Sequence, residues 1–215
     1  MKKEILGAGI NPVSLIVTYN PVDTELFKLS TGRLENKNIL FAGRLDNFKG
    51  ALRSVNAFEK ITDQFPEWTF TIIGEGEDFV PIKNYIEQNK KLQQKVFLLG
   101  TKPKAEIAKE MQKASFLVFP SEHESFGLVV AEALSCGLPV IVTDRTAPKE
   151  FVNPSNGLLV APNDIDAIAA AMKKMINKLD YYDAGEIRKD IVEKFGFENF
   201  GKKLFGIYKP LINKQ

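Results

Sequence analysis

The sequence predicts an α/β fold with a doubly wound, Rossmann-like parallel sheet, and two observations carry this prediction. From residue 38 onward, short apolar runs rich in β-branched residues alternate with longer segments of helical period. The short runs are apolar throughout, as is typical of strands that helices cover on both faces. Repeated alternation of strand and helix implies right-handed crossovers and therefore a parallel sheet.

Six apolar runs are predicted as the strands of this sheet, at residues 38–42, 69–73, 96–99, 116–119, 139–143 and 157–161. An earlier apolar run at 14–18 is a candidate for one further strand.

The segments between and after the strands carry helical signals. Apolar residues recur at roughly helical spacing over 52–65 and more regularly over 165–179. The dipeptide Asn163-Asp164 is suited to cap the second of these helices. Near the end of the chain, 187–212 predicts two helices separated at Gly196.

The composition fits one soluble domain spanning 1–215. Hydrophobic residues make up 44% of the 215 residues and charged residues 26%, which is ordinary for a globular protein. The formal net charge of +2 gives no electrostatic reason to expect nucleic acid as a partner. The single cysteine, Cys136, cannot form an internal disulfide, which favours a reducing, cytoplasmic location. No apolar run approaches the roughly 20 residues that span a bilayer, and the first residues do not resemble a signal peptide.

The loop after the first strand is the first candidate for a ligand site, because ligands of such sheets bind beyond the carboxyl ends of the strands. This loop, 43–50 (GRLDNFKG), places Gly43, Arg44 and Lys49 at a strand-to-helix turn. Arginine offers phosphate a bidentate fork, and lysine offers a mobile point charge. The loop therefore predicts either a phosphate site or, as the alternative, a solvated turn with two surface cations.

The loop after the fourth strand leads into an apolar helix that carries a carboxylate. The helix is predicted to begin near Ser125 or Phe126, with Ser125 as a candidate N-cap, so that its first N–H groups form an anion site. Glu124 precedes this terminus, and Glu132 is expected about two turns inside the helix. A carboxylate in so apolar a helix needs a partner, either an internal cation or ligand hydroxyl groups.

These loops resemble the sequence motifs of one enzyme family. The two glutamates, in the setting FPSEHESFGLVVAEALSCGLPVIVTD, resemble the Glu-x7-Glu signature of the family 4 glycosyltransferases. FAGRLDNFKG resembles that family's Gly-Arg-Leu-x(3)-Lys-Gly turn, and VTYNPVDTELF resembles the segment that opens its C-terminal domain. FTIIGEGED, VFLLGTKPKAEI and SNGLLVAPND are further matches, in the family's order. The resemblance covers nearly the whole chain.

The resemblance implies a GT-B fold, in which two Rossmann-like domains close over a cleft. The chain corresponds to the C-terminal, donor-binding domain of a retaining enzyme, and the N-terminal acceptor domain is expected to be absent. The implied donor is a nucleoside diphosphate sugar, either a UDP- or a GDP-sugar. The implied acceptor is a glycan or a lipid-linked sugar, reached through the missing domain. The location is then cytoplasmic, with peripheral contact at the inner membrane face in a full-length protein.

The resemblance also implies roles for individual residues. Arg44 and Lys49, next to Gly43, should contact the diphosphate and stabilise charge on the leaving nucleotide. Glu124 should reach hydroxyl groups of the transferred sugar, and Glu132 those of the ribose. The remaining donor contacts are expected from the backbone N–H groups of Phe126, Gly127 and Leu128 and, beside the base, from Thr101 and Lys102. No cofactor and no metal are expected, because the cations and the helix terminus already offset the diphosphate charge.

The sequence departs from the family pattern in one loop. After Asp144 the family commonly has a Gly-Gly pair and then a glutamate near the sugar, whereas this chain has RTAPKE at 145–150. Glu150 is the candidate for the glutamate position.

Three other features are interpreted as structural and not as parts of a ligand site. Asp164-Ile165-Asp166 is interpreted as a helix cap and not as a metal motif. His123, the sole histidine, is interpreted as incidental, and Cys136 as a small packed residue.

Two alternatives to a glycosyltransferase stay open at this point. One is a GT-B enzyme of other chemistry, such as a sugar-nucleotide epimerase or a phosphorylase, although the acid–base pairs and the pyridoxal lysine that these require are not evident. The other is a non-catalytic nucleotide-sugar-binding module. The chain alone is predicted to bind donor without transferring sugar.

Overall fold

A computed structural model describes residues 7–9, 16–29 and 35–212 of the chain, with side chains up to residue 209. Six parallel strands form one sheet in the order β3-β2-β1-β4-β5-β6. The strands are β1 (Asn38–Ala42), β2 (Thr69–Ile73), β3 (Val96–Leu98), β4 (Phe116–Phe119), β5 (Val140–Thr143) and β6 (Gly157–Val160).

Helices connect the strands and close the chain. They are α1 (Ala51–Glu59), α2 (Phe79–Gln88), α3 (Lys104–Lys113), α4 (Leu128–Ser135), α5 (Ile165–Asn177), α6 (Ala184–Phe195) and α7 (Phe197–Ile212). Short 3-10 turns occupy Ala147–Glu150 and Leu179–Tyr181. None of the helices in the described ranges is both long and apolar enough to cross a membrane.

The strand order reverses between β1 and β4, which places a crevice at the centre of the sheet. The chain runs outward from β1 through β2 to β3 and then returns to the other side of β1 with β4. In open α/β sheets ligands bind at this kind of reversal, beyond the carboxyl ends of the strands. The loops after β1 and β4 are therefore neighbours at one edge.

The core fills both faces of the sheet, as the unbroken apolar strands predict. Every residue of β4 and β5 is buried. Helix α1 packs against α5, and α4 packs against α6. Cys136 is fully buried, and burial raises the pKa of its thiol to about 12, so that it packs as an inert small residue.

Most predicted elements are confirmed. The six predicted strands are present, with ends that differ by at most one residue, and the helices around Gly196 separate there. Asp164 caps α5 as predicted, since its Oδ1 accepts a hydrogen bond from Ala167 N at 2.8 Å. The candidate strand at 14–18 is only partly described: residues 16–18 lie in no strand, and 14–15 lie outside the described residues.

Candidate functional site

A cleft of about 380 Å³ opens beyond the carboxyl ends of β1 and β2, bounded also by the loop after β3 and by α3 and α4. It gathers several of the predicted donor-binding residues. Those that line it are Gly43, Arg44, Thr101, Lys102 and Glu132. These residues lie on three separate segments of the chain, so the fold brings them together at the predicted edge of the sheet.

Glycines shape the floor of this cleft. Gly43 N donates to Ile73 O at 3.0 Å, and Gly74 N donates to Gly100 O at 2.9 Å, so that the turns after β1, β2 and β3 are tied side by side. Gly74 has φ of +140°, and a Cβ built there would lie 1.9 Å from Gly43 O. Only a glycine permits this approach, and the loop after β1 depends on it for its position.

A buried carboxylate that the sequence reading missed organises the loop after β1. Asp46 is only 3% exposed. Its Oδ2 accepts from Arg44 Nε at 2.5 Å and its Oδ1 from Lys49 N at 2.9 Å. Asp46 therefore fixes the Arg44 guanidinium and the backbone of Lys49, while the Arg44 side chain stays 72% exposed. The available signal was an aspartate three residues before a turn lysine, a spacing suited to a side chain that bonds its own backbone.

Lys49 and Glu124, predicted to contact different parts of one donor, contact each other. Lys49 Nζ lies 2.6 Å from Glu124 Oε2 and donates to His123 O at 3.1 Å. The two side chains are about four-fifths buried, at 20% and 18% exposure. Neither lines the main cleft. The pair therefore joins the loops after β1 and β4, and any ligand that engages either group has to share or displace the other.

Helix α4 begins at Leu128, later than predicted, and the expected Ser125 cap is wrong. Gly127 occupies the N-cap position with φ of +84° and ψ of +56°, and no described side chain caps the helix. A Cβ at Gly127 would lie 2.4 Å from Pro148 Cγ. This left-handed residue turns the chain, so Ser125 and Phe126 precede the helix instead of starting it.

Phe126 is a core residue by its side chain. It is 6% exposed and packs with Tyr19, Phe151 and Phe195, at ring-centroid distances of 5.9, 5.6 and 5.3 Å. Such a cluster fixes the loop between Glu124 and Leu128 against the rest of the domain. A ligand contact predicted for Phe126 can therefore come only from its backbone.

Glu132 lies in the second turn of α4, closer to the start than expected because the helix begins later. It is 6% exposed and lines the cleft. Its Oε1 is 3.3 Å from Lys104 Nζ, yet accepts no hydrogen bond of good geometry from the described residues. Burial raises the pKa of the Glu132 carboxyl, Lys104 opposes that rise and Asp23 adds to it. Both predicted partners of this carboxylate therefore have support. Lys104 is an internal cation beside it, and its position at the cleft suits ligand hydroxyl groups.

Glu150 lies apart from the main cleft. Its Oε2 accepts a hydrogen bond from the Tyr19 hydroxyl at 2.8 Å, and this bond is the main cause that raises the pKa of Tyr19. The two residues line a second cavity of about 360 Å³ with Phe195 and two lysines. Ala147 N donates to Glu124 O at 3.2 Å, which ties the 3-10 turn of Glu150 to the Glu124 loop.

Asp164 and Asp166 lie at the start of α5, where the sequence predicts a helix cap. Asp164 caps its helix, and Asp166 pairs with Lys60 at 2.8 Å. Within the described residues, no group of three potential metal ligands comes together. His123 packs its ring against Phe48 with centroids 4.9 Å apart.

The sheet order and the position of the cleft define a class of protein. A doubly wound parallel sheet with a ligand-sized cleft at its strand-order reversal is a Rossmann-like fold, here of the kind found in the C-terminal domain of GT-B glycosyltransferases. The chain belongs to the glycosyl transferases group 1 family, whose sequence model matches residues 23–193.

Relatives and solved structures extend this assignment. An uncharacterized glycosyltransferase of Methanocaldococcus jannaschii is 28% identical over 215 residues, covering 97% of this chain and 54% of that protein. The lipopolysaccharide 1,6-galactosyltransferase of Salmonella typhimurium is 27% identical, and the match covers 95% of this chain and 59% of that protein. The C-terminal domain of a group 1 family glycosyl transferase from Francisella tularensis superposes with a TM-score of 0.72 at 26% identity, covering 82% of this chain and 99% of that one. The chain thus spans between half and three-fifths of these curated relatives.

Proposed function

We propose that this domain binds a nucleoside diphosphate sugar and presents it for retaining transfer to a hydroxyl group, as in family 4 of the glycosyltransferases. The observation that carries the proposal is the cleft in which Arg44 and Glu132 lie together. An arginine suits the diphosphate and a carboxylate suits a pair of ribose hydroxyl groups. The cleft volume of about 380 Å³ lies within the usual range of small-molecule sites.

Uridine nucleotides are the first donors to test. Anabaena HepE has been solved with UDP-glucose, and this chain superposes on it with a TM-score of 0.81 at 22% identity, covering 97% of this chain and 61% of that one. That likeness establishes the fold and suggests the ligand class. A GDP-sugar is the second donor to test. In either case the base would lie beside Thr101 and Lys102, which follow β3 and line the cleft.

The proposed chemistry rests on charge at the departing diphosphate. Arg44 is exposed enough to reach a ligand while Asp46 holds its guanidinium at the base of the loop. Lys49 contributes a second cation when the ligand draws it from Glu124, and the released carboxylate is then available to the sugar hydroxyls. Preorganised cations of this kind stabilise the developing negative charge of a leaving group. The free N–H groups at the start of α4, near Gly127 and Leu128, add to this field.

The acceptor and the location follow from the same proposal. We infer a glycan or lipid-linked acceptor that binds outside this domain, and a cytoplasmic enzyme that works at the inner membrane face where its acceptor is lipid-linked. The Salmonella relative is named for a lipopolysaccharide acceptor, which supports this class of substrate. The lone, buried Cys136 is consistent with a reducing compartment.

A thermal-shift panel tests the donor proposal directly. UDP or GDP at a hundred times its dissociation constant should stabilise the folded domain by about 2.7 kcal/mol. The matching nucleoside should stabilise it less at the same concentration, because it lacks the diphosphate. No shift with any nucleoside diphosphate or nucleotide sugar, confirmed by calorimetry, would refute the proposed function.

A further inference from the structure

Lys104 occupies a position that helix electrostatics disfavours. It is the first residue of α3, directly after Pro103. The N-terminus of a helix carries a partial positive charge, so acidic residues stabilise this position and a lysine destabilises it. The placement of this cation therefore needs a reason outside its own helix.

The contacts of Lys104 supply that reason. Its Nζ lies 3.3 Å from Oε1 of Glu132 and 5.9 Å from the centre of the Phe27 ring. Phe27 is fully buried, and its carbonyl oxygen accepts from Ser135 Oγ at 2.9 Å and from Arg188 at 2.7 Å. A fixed ring and a buried carboxylate thus hold the ammonium group, although 61% of the Lys104 side chain is exposed.

We propose that Lys104 is a positioning residue, which fixes the Glu132 carboxylate at the wall of the cleft as an acceptor for two hydroxyl groups of a ligand. This inference rests on the proposed function, because it assumes that the ligand carries a ribose. Lys104 itself does not line the cleft. It acts on the ligand through Glu132, which is buried and has no other described cation within ion-pair distance.

The proposal has a consequence for pH. Burial raises the pKa of the Glu132 carboxyl and Lys104 opposes the rise, so removal of Lys104 raises it further. Hydroxyl groups donate best to the ionised carboxylate, so affinity is lost as the pH falls through that pKa. Asp23 also raises the pKa of this carboxyl. The neighbouring Cys136 thiol, on which Arg188 acts, is uncharged in this pH range, and Arg44, Glu75 and Lys102 line the same cleft. They are unchanged by the substitution.

The experiment compares Lys104→Met with Lys109→Met. Lys109 lies on the same helix and is exposed, so its loss removes the same charge without touching Glu132. The affinity for UDP is measured by calorimetry between pH 5 and pH 8. Lys104→Met should begin to lose affinity at a higher pH than the wild type, and should bind about tenfold more weakly at the acidic end, equivalent to about 1.4 kcal/mol. Lys109→Met should follow the wild type.

Two further measurements separate the possible outcomes. A 13C NMR titration of the Glu132 carboxyl, which needs no ligand, should show a higher pKa in Lys104→Met than in the wild type or in Lys109→Met. A pKa equal to that of the wild type would overturn the positioning role. The diphosphate of 2′,3′-dideoxyuridine should bind both variants equally, since it lacks the hydroxyl groups. An equal loss for UDP and its dideoxy analogue would also overturn the role. Failure of wild-type protein to bind any nucleotide would instead refute the proposed function.

Discussion

Among the described residues, Arg44 has a partner on one side only. Asp46 binds its Nε, while the greater part of the side chain is exposed at the rim of the cleft. The guanidinium therefore keeps further N–H groups for a ligand, in an orientation that the buried carboxylate sets. Arginine held in this way suits a bidentate contact with phosphate.

Replacing Arg44 with alanine should weaken UDP binding by about 1.5–3 kcal/mol, the usual range for charged hydrogen bonds. This is about tenfold or more in affinity. Uridine should bind the variant and the wild type alike, as calorimetry can measure. Lys83→Ala is the control, because Lys83 lies on α2, is exposed and pairs only loosely with Glu87 at 3.8 Å. Equal losses for uridine and UDP would show that Arg44 does not act on the phosphates.

Glu132 is expected to discriminate between ribose and its dideoxy form. Glu132→Gln keeps the size of the side chain but removes the charge that hydroxyl donors favour. Calorimetry should show weaker binding of UDP by roughly 1.5–3 kcal/mol, with little change for the 2′,3′-dideoxy analogue. Glu87→Gln, an exposed substitution on α2, is the matched control. If both ligands lose affinity equally, the carboxylate has only its structural role beside Lys104.

The residue-level contacts were only partly predictable. Gly43, Arg44, Lys102 and Glu132 were identified from their motifs, and the fold brings them to one edge of the sheet, whereas Gly74 and Glu75 of the same cleft were not predicted as site residues. Two ion pairs could not be predicted, namely Lys49 with Glu124 and Lys104 with Glu132. Each joins segments that are distant in sequence and whose charges have several potential partners. Asp46 was missed because its burial depends on how the turns after β1 and β2 pack.

At the scale of the element, local sequence patterns predicted whether a segment is a strand or a helix better than they predicted where it begins and ends. Strands β1, β2 and β4 coincide with their predicted ranges because a continuous apolar run ends where polar turn residues begin. The start of α4 was misplaced by about two residues, since Ser125 is a good cap by type. Its actual start depends on the left-handed conformation of Gly127 and on the close approach of Pro148, which no local pattern encodes.

Gly127 should therefore be intolerant of substitution. Gly127→Ala forces a left-handed conformation on a residue with a Cβ and brings that atom to 2.4 Å from Pro148 Cγ. The free energy of unfolding, measured in urea, should fall by about 1–3 kcal/mol. Gly201→Ala is the control, because Gly201 lies inside α7 and an added Cβ meets nothing within 4 Å. That variant should be neutral or more stable, by up to about 1 kcal/mol. Equal stability of the two variants would contradict this account of the α4 start.

At the scale of the whole molecule, the features of the candidate site share one edge of the sheet. The sheet reversal, the cleft and the charged loops all lie at the carboxyl edge of one Rossmann-like domain. The chain spans 54% and 59% of the two curated relatives described above, so those proteins contain a further portion that this chain does not cover. The fold class was predictable from the alternation of strands and helices, whereas the acceptor was not, because we propose that it binds residues outside the present chain.

We expect the chain alone to bind donor but not to transfer sugar. In a two-domain cleft, the groups that orient the acceptor hydroxyl come largely from the other domain. Without them the reaction loses the advantage of proximity, which contributes about 7–11 kcal/mol of barrier lowering. At tenfold for each 1.36 kcal/mol, this loss is at least about five orders of magnitude in rate. Any slow reaction that remains should be hydrolysis, because the donor is open to water.

The measurement is the release of nucleoside diphosphate from a nucleotide sugar whose binding has first been demonstrated by calorimetry on the same preparation. Release is followed with and without a panel of glycan and lipid-linked acceptors, and the Arg44→Ala variant provides the background rate. Acceptors should leave the rate unchanged, since we expect the groups that hold their hydroxyl against the donor to come from another domain. Transfer at about 1 s⁻¹ or faster, within the ordinary enzymatic range, would show instead that this domain carries both halves of the reaction.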